Sequence, residues 1–136
     1  MTNFYFAELR GDNAVPPVLT TATGFALFGF NDNFTLLNFV LRVNELNKYK
    51  AAHLKFGMQN ANRSIVTILF ESCTRSINVD LGTVSGIIMN SDLTGPLNGR
   101  TLTELARQID LGHIYVNIIS EKYRSGEISG KLLPVV

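Results

Sequence analysis

Tyr115-Val116-Asn117-Ile118-Ile119-Ser120, followed by Ser125-Gly126-Glu127-Ile128-Ser129-Gly130-Lys131-Leu132, carries the strongest fold signal in the chain. Both segments alternate and are rich in β-branched residues. A polar connection containing a glycine joins them, which is the pattern of a β-hairpin. The same period of two recurs upstream. It predicts strands at 3–9, 24–30, 36–43, 52–56, 64–70, 82–89, 114–120 and 127–133, with a shorter one around 76–79. Asn31-Asp32-Asn33 is a turn cluster, so the strands beside it form a second hairpin. Many short strands at regular spacing read as an all-β sandwich.

One segment breaks the period. Leu102, Leu105, Ala106 and Ile109 recur at helical spacing, Thr101 and Glu104 form a capping box, and Gly112 is placed to end the helix. One short helix is therefore expected to cover an open end of the sandwich. The expected core is Phe6, Phe25, Leu27, Phe39, Leu41, Leu54, Ile68, Val116, Ile118 and Ile128. Segments 36–43 and 65–70 are apolar on both faces, so both faces are covered. The cover is either the helix or a long loop, or else a subunit interface.

The chain has 136 residues, within the range of a single domain spanning 1–136. Lys plus Arg is 12 and Asp plus Glu is 11, so the net charge is +1. That leaves no field to gather nucleic acid or anionic lipid. Charged residues make up 17%, against about 25% in an ordinary soluble domain. A surface so poor in charge is expected to meet another copy. Cys73 stands alone, which excludes an internal disulfide and a CxxC pair; it reads as a small hydrophobe. No apolar run is long enough to span a membrane. The first residues lack a basic region and a long apolar run, so no secretory leader is read. The expected location is cytoplasmic on synthesis, with a spore or cell surface reached by lysis.

Several pieces of sequence stand out along the chain. They are Phe6-Ala7-Glu8-Leu9-Arg10-Gly11, Val15-Pro16-Pro17-Val18, Thr23-Gly24-Phe25-Ala26, Ala52-His53-Leu54, Asp92-Leu93-Thr94-Gly95-Pro96-Leu97-Asn98-Gly99, and the hairpin with Tyr115, Asn117, Gly126, Glu127 and Gly130. In this order and spacing they resemble the CHRD domain, the module named for chordin and also found singly in microbial proteins. The resemblance implies an immunoglobulin-like, superoxide-dismutase-like Greek-key β-sandwich with one short helix.

The residues themselves are compatible with structural roles. Pro16 and Pro17 cannot donate to a sheet, so they end the first strand and stiffen a crossover. Gly24 opens the next strand. Glu127 is placed to accept hydrogen bonds at the last turn. His53 is the best candidate for chemistry. The resemblance implies a second histidine two residues on, which would bind a metal with it, and another in the 115–120 strand. Here those positions match Lys55 and Ile119, and an arginine of the last strand matches Ser129. One imidazole does not make a site of three or four ligands, so His53 reads as a hydrogen-bonded structural residue and no metal or other cofactor is expected. His113 follows Gly112 and faces the helix's C-terminal carbonyls. No nucleophile elbow, phosphate loop or carboxylate pair is present. The sequons at Asn33 and Asn62 carry no weight without a leader.

These readings point to a non-enzymatic domain acting in protein binding or as a self-assembling structural protein. The alternatives are a degenerate dismutase-like metal-binding protein and a small-ligand binding module, for which a deep aromatic-lined pocket would speak.

Overall fold

A computed structural model of the protein describes residues 3–14, 16–57, 64–71 and 77–135. The strands are β1 (Phe4–Arg10), β2 (Thr23–Phe30), β3 (Leu37–Phe56), β4 (Ser64–Glu71), β5 (Ile77–Ile88), β6 (Ile114–Ser120), β7 (Ile128–Lys131) and β8 (Leu133–Pro134), and the helix α1 is Leu102–Asp110. All strand pairs are antiparallel. The fold is all-β with one α-helix. β7 lies beside β1, which pairs with β2, which pairs with β3. Three successive strands with a later one returning beside the first make a Greek key.

One long strand passes between the layers. The first half of β3 pairs with β2 and β5, and its second half with β6 and β4. Glu45 and Lys48, both at positive φ (52° and 56°), mark the bend between the halves. The last strand does the same on a smaller scale: β7 pairs with β6, and β8 pairs with β1. The first layer is thus β5-β3-β2-β1-β8 and the second β4-β3-β6-β7, and the sheet is nearly closed. Two separate strands were expected over 36–43 and 52–56. They are one, because the bend keeps both ladders on one chain. Likewise 76–79 and 82–89 merge, for residues 77–88, into β5.

The core unites Tyr5, Leu9, Phe28, Phe30, Leu37, Phe39, Leu41 and Leu54 with the helix stripe Leu102, Leu105, Ala106 and Ile109. Thr101 Oγ1 accepts from the Glu104 backbone N–H at 3.4 Å, while the Glu104 carboxylate is taken by Arg107 and Gln108. Gly112, at φ +83°, ends the helix. Its N–H reaches the Ile109 carbonyl, and that of His113 reaches Gln108, the paired bonds of a Schellman stop. Tyr5 Oη donates to Asp110 Oδ1 at 2.8 Å, tying helix to β1. Asn31 holds the β2–β3 turn, its side-chain oxygen accepting from Thr35 and Leu36 N–H.

Six of the ten expected core residues are buried: Phe39, Leu41, Leu54, Val116, Ile118 and Ile128. The other four are not. Phe25, Leu27 and Ile68 are 41%, 48% and 52% exposed, and Phe6 is half-buried. For the first layer the reason is register. Leu37, Phe39, Leu41 and Val43 face inward, and they pair with Phe30, Phe28, Ala26 and Gly24. That turns Phe25 and Leu27 outward, and Phe6 with them through its pairing to Leu27. For Ile68 the reason is two irregularities in the β3–β4 ladder. Each extra residue on β4 shifts the alternation, so Thr67 lies inward opposite Leu54 while Ile68 lies outward opposite His53.

Apolar residues on both faces of 36–43 and 65–70 were expected to be covered. Among the described residues Val40, Ile65 and Ile68 remain exposed on the second face. The helix adds to the core instead. Cys73, Val15 and the sequon residues Asn62 and Arg63 lie outside the described residues.

Candidate functional site

The outer face of the second layer gathers the motif residues. Ladder partners place Ile68, His53, Asn117 and Ser129 side by side across β4, β3, β6 and β7, and Ser129 continues to Arg10 on β1. One step along, Lys55 pairs with Tyr115, which pairs with Lys131. Period two brings these residues to one face although they are far apart in sequence.

Around Asn117 the contacts are close. Its side-chain amide donates to the Ser125 carbonyl at 3.0 Å. Gly126, at φ +131°, lies so near that a Cβ there would strike the Asn117 amide. Ser129 Oγ is buried and donates to the Val116 carbonyl at 2.8 Å. Glu127 is buried and accepts from Thr20 Oγ1 at 2.6 Å, and Thr20 Oγ1 accepts from the Ala22 N–H. Val18 N–H is held by the Gly11 carbonyl at 2.9 Å. The crossover that contains exposed Pro16 and Pro17 is thereby roped to the last hairpin. Gly24 and Gly130 are points of close approach: a Cβ on Gly24 would sit 2.9 Å from the Arg42 carbonyl oxygen, and one on Gly130 would strike that of Glu8. Thr20, the partner of Glu127, was missed in the sequence, where nothing separates it from Thr21 beside it.

His53 is 7% exposed. A hydrogen-bonded imidazole was expected, but its Nδ1 is buried with no partner among the described residues, as is Tyr49 Oη. Burial, and then the charge of Lys55, hold the His53 pKa below the ordinary imidazole value, while Glu71 pulls the other way. The unfolded chain therefore takes up this proton first. Stability is expected to be full above about pH 6.5 and to fall as pH drops below it, by less than the roughly 1.4 kcal/mol per unit that is the ceiling for one proton. Denaturant titrations of wild type and His53→Gln at pH 7 and pH 5 measure this. An equal loss in both would assign the acid sensitivity to another group.

The metal set implied by the resemblance does not fit these residues. Lys55 lies two residues beyond His53 on β3, Ile119 lies on β6 opposite Ala51, and Ser129 lies in the row of His53. These positions offer an ammonium, an alkyl chain and a hydroxyl already donated. No group of three or more His, Cys, Asp or Glu side chains suited to a metal occurs among the described residues. His113 lies at the helix end, its ring 2.9 Å from Gln108 Oε1 and edge-on to Phe56.

A groove of about 490 Å³ opens between β4 and β5, lined by residues that include Phe39, Thr67, Ile68, Ser85, Gly86 and Ile87. Among the described residues Phe39 is the one aromatic side chain in its lining.

The outer face of the first layer carries a different chemistry. Leu133, Phe6, Leu27, Val40 and Ser85 form one row across β8, β1, β2, β3 and β5, and Glu8, Phe25, Arg42 and Thr83 form the next across four of them. Phe6 and Phe25 rings stack at 5.9 Å. Leu27, Val40 and Leu133 are 48%, 42% and 44% exposed. Scattered surface apolar residues need no explanation; these are contiguous across neighbouring strands. The signal for this face was present in Glu8 and Arg10, whose charges share the face of Phe6.

No helix among the described residues is long and apolar enough to cross a membrane. No curated protein matches the sequence. A family model for the CHRD domain matches residues 5–132, nearly the whole chain. The interlocked hairpin, crossover and glycine contacts described above occupy that same span, and the chain belongs to the CHRD domain family.

Proposed function

We propose that this CHRD domain is a non-catalytic binding module that associates with further copies of itself through the outer face of its first layer. The observation that carries this is the continuous apolar row of Leu133, Phe6, Leu27 and Val40, in which Phe6 is half-buried and the other three are exposed. Covering such a row removes apolar surface from water at about 25 cal/mol per Å². The motif residues on the other layer serve a second purpose in this reading. Asn117, Gly126, Glu127 and Gly130 spend their polar groups and their lack of bulk on closing the fold, so they are not free to bind a substrate.

Growth beyond a pair needs a second contact. Among the described residues β4 and β5 each take β3 as their only strand partner, and an open strand edge is a template for pairing with another chain. Two contacts of this kind are what a self-assembling structural layer, at a spore or cell surface, would use.

Sedimentation across a range of protein concentrations tests the reading. Wild type is expected to shift from monomer to a larger species, with little dependence on moderate salt because the contact is mainly apolar. Leu27→Asp places a charge at the centre of the row and is expected to abolish the shift. A wild-type protein that stays monomeric to high micromolar concentration would refute the reading.

A further inference from the structure

We propose that the contact is a two-fold symmetric pair of sheets whose axis runs along β2, with Glu8 of each copy meeting Arg42 of the other. This rests on the reading that the first layer's outer face binds a second copy, and it specifies how.

Glu8 and Arg42 stand on either side of Phe25, one on β1 and one on β3, at equal distance from β2. Both are exposed. Neither makes an ion pair or a side-chain hydrogen bond with another described residue. Two strand spacings, about 9.6 Å, keep them from pairing with each other. A two-fold axis along β2 exchanges left and right across the face. It sets Phe25 on Phe25, Leu27 on Leu27 and Phe6 on Val40, and it brings Glu8 against Arg42 twice. An isologous interface requires this self-complementarity. Facing sheets lie about 10 Å apart with strands within about 30° of each other, a gap that glutamate and arginine side chains bridge together. A heterologous stacking of the same face would lose one or both ion pairs and place like charges nearer one another.

The face measures roughly 24 Å across five strands and 20 Å along them. That is small beside the roughly 800 Å² each partner buries in a standard interface, so the pair is expected to form in the micromolar range.

Charge exchange tests the geometry. Glu8→Arg and Arg42→Glu each turn both contacts repulsive, and each is expected to weaken self-association at least tenfold at low salt. The double variant E8R/R42E is expected to recover wild-type association. A mixture of the two single variants is expected to form heterodimers as tightly as wild type, since every Arg then meets a Glu. Unchanged thermal midpoints show that the variants fold. If both single variants associate like wild type while Leu27→Asp remains monomeric, the face binds but this geometry is wrong. If the single variants weaken and neither the double variant nor the mixture recovers, the pairing of Glu8 with Arg42 is likewise overturned. If wild type itself is monomeric, the binding reading and this inference fall together.

Discussion

Replacing Phe39 with alanine is expected to destabilise the protein by about 3–5 kcal/mol. Phe39 is 6% exposed near the start of β3. Its ring stacks on Phe28 with centroids 6.1 Å apart, and it closes over Gly86, whose missing Cβ leaves the space the ring fills. Truncation removes the ring's burial and leaves a cavity. The rigid ladders of β2 and β5 on either side prevent the site from collapsing, which places the cost in the upper part of the range for such substitutions. Chemical denaturation reads the change. A loss below about 1 kcal/mol would mean that β3 does not face the core in this register.

Replacing Gly130 with valine is expected to be about as costly, roughly 3 kcal/mol or more, for the opposite reason. Here there is too little room. A Cβ at this position meets the backbone carbonyl oxygen of Glu8, with Leu9 Cδ2 3.2 Å away. A flexible side chain could move aside, but a backbone carbonyl within a paired strand cannot without breaking its ladder. β7 and β1 would have to part where the Greek key closes. The measurement is again unfolding free energy, accompanied by amide exchange on β1 and β7. Protection lost at Arg10 and Ser129, which pair across that seam, is expected before protection is lost on β3. A variant as stable as wild type would show that the two strands are not in contact there.

The two substitutions probe different parts of what was legible. The helix was readable with its ends, because capping chemistry is local: Thr101 and Gly112 act within one turn of where they stand. The strands of the final hairpin and the inward face of β3 were readable because one face carries Leu37, Phe39, Leu41 and Val43 without a polar interruption. The inward face of β1 and β2 was not. Phe6, Phe25 and Leu27 compete with Tyr5, Ala26 and Phe28 for the core, and both sets obey a period of two. Ile68 failed for another reason, since nothing in the order of residues on β4 announces the two places where its ladder with β3 slips.

The motif residues show the same division. That Gly24, Gly126, Glu127 and Gly130 belong together was carried by order and spacing along the chain. What they touch was not. Thr20 as the partner of Glu127, the Glu8 carbonyl over Gly130 and the Asn117 amide against Gly126 are meetings between segments far apart in sequence, and only the closed sheet brings them together. The class of fold, the short helix with its Thr101 and Gly112 ends, the family and the low charge could all be read from the order of residues alone. Tertiary structure alone decided which face stays open. Strand pairing takes Tyr5, Ala26 and Phe28 into the core and leaves Phe6, Phe25 and Leu27 on the outer face, where Glu8 and Arg42 flank Phe25.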